Sequence, residues 1–135
     1  MTVFADMSAY GHAELTRPWK AAVNVGWLGP DAEIGGPVDA EFAAALLRVV
    51  FHHKVNLTRG RHRCPFCRAR SVVADPVPGL PGERLHMGSA EAHFAGPDGT
   101  VYAVPTLIGH YVAEHGYRPP RRFVEAVHWV DARDG

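Results

Sequence analysis

Cysteine is scarce in this 135-residue chain: there are two, Cys64 and Cys67. A small secreted scaffold held by disulfides needs a denser set, so that class is set aside. Long apolar runs are missing too, and none approaches the roughly 20 residues of a membrane-spanning helix, which excludes membrane anchoring as an expectation. The opening stretch MTVFADMSAYGHAEL lacks a basic start, an apolar run and a cleavage motif, which argues against a secretory signal. Neither charge sign is in excess, 14 basic residues standing against 14 acidic ones, so any attraction to a polyanion has to be local. These absences lead to a cytoplasmic location, where thiols stay reduced and a C-x-x-C pair reads as metal or redox chemistry.

The length suits one domain, residues 1–135, with enough chain to bury a core. Residues 1–37 are rich in loop formers, with a short strand in AAVNVGWL, where Val23, Val25 and Trp27 alternate. Over 38–53, Phe42, Leu46, Val49 and Val50 recur at helical spacing behind Asp39, predicting a helix. Three prolines and two glycines keep 74–83 out of regular structure. SAEAHFA and TVYAVP, separated by GPDG, predict a hairpin. Thr106 is placed to cap the helix LIGHYVAEH, which Gly116 ends, and 119–131 predicts a final helix with Phe123, Val124 and Val127 inward. Internal repeats and low-complexity tracts are absent.

Three chemistries compete for the cysteines. CPFC is similar to the active-site tetrapeptide of glutaredoxin-like proteins, with Val104-Pro105 in place of their later Val-Pro, but VNLTRGRHR is too polar for the core strand that should precede it. Prolines from residue 76 also leave little room for the helix that should follow. The HAE of residues 12–14 followed by C-x-x-C suggests a zinc deaminase, yet Arg63 stands where proline belongs and the strands preceding that motif have no space.

A metal site has the fuller partner set. His110 and His115 form H-x4-H, and with Cys64 and Cys67 they make two sulfur and two nitrogen donors of the kind tetrahedral zinc takes. Five helical residues at about 100° each put the histidines about 140° apart, so the last turn has to loosen. Gly116 permits that. No glycine follows Cys67, where zinc knuckles often carry one; Arg68 stands there. His62, His86 and His93 are reserve ligands, the last two expected at exposed polar positions beside or in the hairpin. His52 and His53 suit the end of a helix. The expected fold class is therefore α+β: a small domain with a β-hairpin, two or three helices and an embedded zinc site, with the knuckle, hairpin and second helix spanning 59–116.

VNLTRGRHRCPFC (55–67) and YAVPTLIGHYVAEHGYRPPRRFVEAV (102–127) resemble a family of small uncharacterised bacterial proteins that join a C-x-x-C to an H-Y-x-x-x-H helix and a PP plus F-x-x-A-V tail. The likeness covers the C-terminal two thirds. The order knuckle, hairpin, helix is also similar to zinc-finger and treble-clef domains. The resemblance implies that Cys64, Cys67, His110 and His115 act as one set, and it implies no reaction.

Four protein ligands close a zinc sphere and make the ion structural, leaving function to the surface around it. Arg59, Arg61, Arg63, Arg68 and Arg70 crowd that surface with no acid among them, and arginine forks fit phosphate and carboxylate. A nucleic acid or an acidic protein is the expected partner, with Phe66 and Tyr117 as candidates for stacking on bases. A solvated basic loop without a ligand is the plain alternative. The competing class is a zinc enzyme with an open position and Glu91 or Glu114 as base.

Overall fold

In chain order the elements are β1 (Val23–Asn24), α1 (Ala40–His53), β2 (Lys54–Val55), β3 (Val72–Ala74), β4 (Leu85–Met87), β5 (Glu91–Ala95), β6 (Val101–Pro105), α2 (Ile108–His115) and α3 (Arg121–Asp134). They come from a computed structural model that describes residues 3–57, 62–69 and 72–135. The class is α+β, a small single domain with three helices and two sheets among the described residues.

The GPDG turn closes the predicted hairpin: Gly96 N–H donates to Thr100 O at 2.9 Å, and Gly99 takes a φ of +84°. β5 and β6 then pair antiparallel with Phe94 opposite Tyr102 and His93 opposite Ala103. Each side of this pair gains one more strand, giving the order β1-β6-β5-β2 with β1 parallel to β6. β2 follows α1 directly, because Lys54 leaves the helix with extended backbone. β3 and β4 form a separate ribbon around the turn-rich 75–84. None of these three short strands carries enough alternation to be read from the sequence.

A side-chain period of two sends Ala92, Phe94, Tyr102 and Val104 to one face of the sheet, where α1 and α3 cover them. α1 starts as the sequence predicts, with Asp39 Oδ1 accepting from Phe42 N–H at 2.7 Å, and it buries Phe42, Ala45, Leu46, Val49 and Val50. Phe123 of α3 meets the Tyr102 ring at 5.3 Å and the Phe94 ring at 5.8 Å. Across the helix pair, Arg48 clasps Asp131 through Nε and Nη2 at 2.8 and 2.9 Å. Val124 is only half buried.

The second face is not solvated. Tyr10, Leu15 and Trp19 of the loop-rich N-terminal segment pack on Ala22, Val101 and Ala103 and cover it. Trp27 Nε1 donates to Ala103 O at 2.9 Å, and Asn24 is buried under the Ser8–Ala9 stretch, to which its amide donates. The expectation that His93 is exposed is therefore overturned: at 2% exposure it lies beneath this cover. Thr106 likewise does not cap α2. Its hydroxyl accepts from Gly88 N–H at 2.9 Å, tying β6 to the stretch before β5, and α2 begins without a side-chain cap.

Gly26 lets the chain pass close to α2, with a φ of +82° and an added Cβ only 2.6 Å from Ile108 Cδ1. Gly26→Ala combines a disfavoured left-handed backbone with overpacking of a helix that bears two metal-ligand candidates, and should cost about 2–4 kcal/mol. Urea unfolding of the variant beside the parent measures it; a loss under about 0.5 kcal/mol would show that the contact relaxes freely.

Candidate metal centre

Cys64 and Cys67 sit on a tight turn whose backbone closes on itself. Arg68 N–H donates to Cys64 O at 2.8 Å, Cys64 N–H donates to Ala69 O at 3.4 Å, and Phe66 N–H points at Cys64 Sγ at 3.4 Å. Such N–H to sulfur contacts stabilise a thiolate. Closing the turn requires a left-handed residue after the second cysteine, and Arg68 supplies it with a φ of +59°. Glycine usually fills such a place. The knuckle geometry is thus kept by an arginine in a strained conformation.

The other two donors come from α2. The helix leaves β6 and buries Ile108, Tyr111 and Val112 against the core, which turns His110 toward the knuckle. Its last turn is widened: Gly116, at a φ of +68°, donates its N–H to Tyr111 O rather than to Val112 O, and Tyr117 N–H donates to the same carbonyl at 3.0 Å. That widening swings His115 round beside His110. Their Nε2 atoms are 3.1 Å apart.

Cys64 Sγ lies 3.3 Å from His115 Nε2 and Cys67 Sγ 3.4 Å from His110 Nε2, and the four donor atoms all fall within 4.8 Å of one another. A tetrahedral zinc with Zn–S of about 2.3 Å and Zn–N of about 2.0–2.1 Å spaces its donors about 3.3–3.8 Å apart. The group can hold a metal ion of that size. Burial pushes the Cys64 thiol above its ordinary value, and burial, followed by the charge of His115, pulls His110 below its own. A site that disfavours imidazolium keeps the neutral ring that a metal needs. Phe66 packs on the His115 ring at 5.3 Å and edge-on against Tyr111 at 5.6 Å, joining knuckle to helix.

The reserve histidines stay outside this group. His62 and His86 are exposed, and His93 belongs to a different cluster on the covered face of the sheet. There Glu91 Oε1 accepts from Tyr10 Oη at 2.6 Å and from His93 Nε2 at 2.9 Å. On its other side the ring meets Thr16, whose backbone N–H lies 3.2 Å and whose hydroxyl lies 2.8 Å from His93 Nδ1. Burial works to raise the Glu91 pKa, but the hydrogen bonds from His93 and Tyr10 outweigh it and hold the carboxyl below its ordinary value. Glu91 and His93 stand two apart on one strand and so share a face; with no visible reason for that face to be buried, the sequence did not mark them as a pair.

Other expected residues are distributed as follows. Arg63 and Arg68 are exposed on either side of the cysteines, while Arg59, Arg61 and Arg70 lie outside the described residues. Tyr117 is not free to stack on a base: it is 1% exposed and its hydroxyl donates to Asp6 Oδ2 at 2.6 Å. Glu114 is exposed on α2, outside the donor group. No described helix is long and apolar enough to cross a membrane.

Residues 2–128 match a family described as a domain of unknown function (DUF7919). No curated protein and no solved structure matches the chain.

Because the Arg68 side chain is exposed and its backbone is left-handed, Arg68→Gly should raise stability by about 0.5–1 kcal/mol, whereas Arg68→Val should lower it by more than that. Thermal unfolding of both variants checks the order. If Val proves as stable as Gly, the turn does not hold that backbone.

Proposed function

The chain belongs to the DUF7919 family, and from the chemistry of its own side chains we propose that it is a zinc-binding domain whose metal, held by Cys64, Cys67, His110 and His115, is structural and presents a basic loop to an anionic partner. One observation carries the reading: two sulfurs and two Nε2 atoms from segments far apart in sequence converge within 4.8 Å of one another, with separations of 3.1, 3.3 and 3.4 Å among them. Two thiolates with two imidazoles favour zinc among available divalent ions. Four protein donors leave no position for water, which argues for a structural role over a hydrolytic one. The ion would link the knuckle to α2 where Phe66 supplies the only ring contacts between them among the described residues.

The partner reading rests on Arg63 and Arg68, exposed beside the cysteines, together with Arg59, Arg61 and Arg70 in the same short stretch. In a chain of balanced charge such a cluster is a local anion-binding surface. Guanidinium forks match phosphate and carboxylate alike, so a nucleic acid or an acidic protein fits this surface.

Freshly purified protein should carry one zinc per chain with a mixed sulfur and nitrogen shell by X-ray absorption. Its thiols should label slowly until a chelator releases the ion. Cys67→Ser should cost several kcal/mol of stability. Fast labelling without chelator, together with turnover in a glutathione-coupled disulfide assay, would move the protein to the oxidoreductases. For the partner, affinity for single-stranded or duplex DNA and RNA should fall steeply with salt, and Arg63→Gln should reduce the log-log slope by about one if it contacts phosphate. Absence of binding at low salt would leave acidic proteins as the candidate.

A further inference from the structure

A cleft opens at the end of the β5–β6 hairpin, bordered by Tyr111, and encloses about 50 Å³. Trp27, Leu28, Leu107 and Tyr111, all buried, line it together with the polar His12, Asn56, His62 and Ser89. Deep in it lies Glu91, 5% exposed. One carboxylate oxygen is saturated by Tyr10 and His93; the other, Oε2, faces His12 Nε2 at 3.9 Å, beyond hydrogen-bond reach. Two donors on Oε1 keep the group ionised and fix its orientation. The result is an ionised carboxylate oxygen in a recess that offers apolar surface on one part of its lining and polar groups on another.

Burying a carboxylate is expensive unless a positive partner approaches it. His93 and Tyr10 do not approach Oε2, since both donate to Oε1, and His12 stands 3.9 Å from it, beyond hydrogen-bond reach. An incoming ammonium would reach it, with its carbon chain against Trp27 and Leu107. Arg63 lines the same cleft and is exposed, placing a permanent positive charge at the mouth. A simple amine would meet only the carboxylate; a ligand with an anion at its other end would meet both charges.

The geometry points to a second site, separate from the metal: a cleft that binds a small zwitterion, its protonated amine on Glu91 Oε2 and its carboxylate or phosphate toward Arg63. The site shares no residue with the metal ligands, but it meets the polyanion surface at Arg63. Arg63 borders both, which makes competition between a polyanion and the small ligand an expected consequence.

Calorimetry of the full chain with the ω-amino acids from glycine to 4-aminobutyrate, beside n-butylamine and butyrate, tests this. Affinities on the order of 1 mM suit so few heavy atoms. At least one amino acid should bind and shift the Trp27 indole resonance; butylamine should bind several-fold more weakly, and butyrate not measurably. Glu91→Gln, nearly isosteric, should weaken the amino acid by about tenfold or more. Arg63→Gln, an exposed change that leaves the core intact, should erase the preference for amino acid over butylamine. A folded Glu91→Gln variant with unchanged affinity, an Arg63→Gln variant that keeps the preference, butyrate binding as well as the amino acids, or no binding by any of them up to about 10 mM would each overturn the site.

Discussion

The β5–β6 hairpin is buried on both of its faces, and most of the molecule follows from that. A strand pair with two apolar-facing sides cannot stop at one covering layer. α1 and α3 supply one layer through Phe42, Leu46, Val49, Phe123 and Val127, while Tyr10, Leu15 and Trp19 supply the other from a segment with almost no regular structure. The cover is held by polar pins rather than by a sheet: Asn24 on Ser8 and Ala9, Asp6 on Gly26 and Tyr117, Thr16 on His93. Because the loop layer is thinner than a helix, polar strand residues can sit beneath it with their own partners. Glu91 and His93 are buried for that reason.

The same hairpin aims α2. The chain leaves Pro105, is tied back by the Thr106 hydroxyl to Gly88, and enters the helix with Ile108 against Gly26. That fixes which side of α2 faces the cysteine turn. Two departures from ideal backbone then bring the donors together: the widened last turn at Gly116 and the left-handed Arg68. The left-handed arginine is disfavoured in isolation and is tolerated where surrounding packing determines the chain path, whereas a left-handed glycine at a helix end costs little. Their occurrence on opposite sides of one cluster of two sulfurs and two nitrogens gives the cluster its coherence.

Tyr111 lines the Glu91 cleft and packs on Phe66 of the cysteine turn, and its hydroxyl is pushed well above its ordinary pKa by burial first and by the charge of Cys64 second. One buried side chain therefore borders a sulfur-rich pole and a carboxylate-bearing recess. Arg63, next to Cys64 in sequence and lining the cleft in space, is the corresponding link at the surface.

The local pattern of residues by itself determined α1, the hairpin, the final helix and the pairing of Cys64 and Cys67 with His110 and His115. Helical periodicity, the GPDG turn and the small number of cysteine and histidine spacings are short-range properties, and even the need for a loosened turn at Gly116 follows from the angle between residues five apart. Only the tertiary structure decided that the segment carrying Tyr10, Leu15 and Trp19 covers the sheet, that Thr106 binds Gly88 instead of capping α2, and that Tyr117 is locked on Asp6 rather than offered to a partner. Strand alternation reads a polar residue as facing water, and it cannot see a distant loop returning to cover that face. His93 is buried for no reason within its own neighbourhood; the covering residues Tyr10 and Thr16 are more than 75 positions away, where only the folded chain brings them into contact.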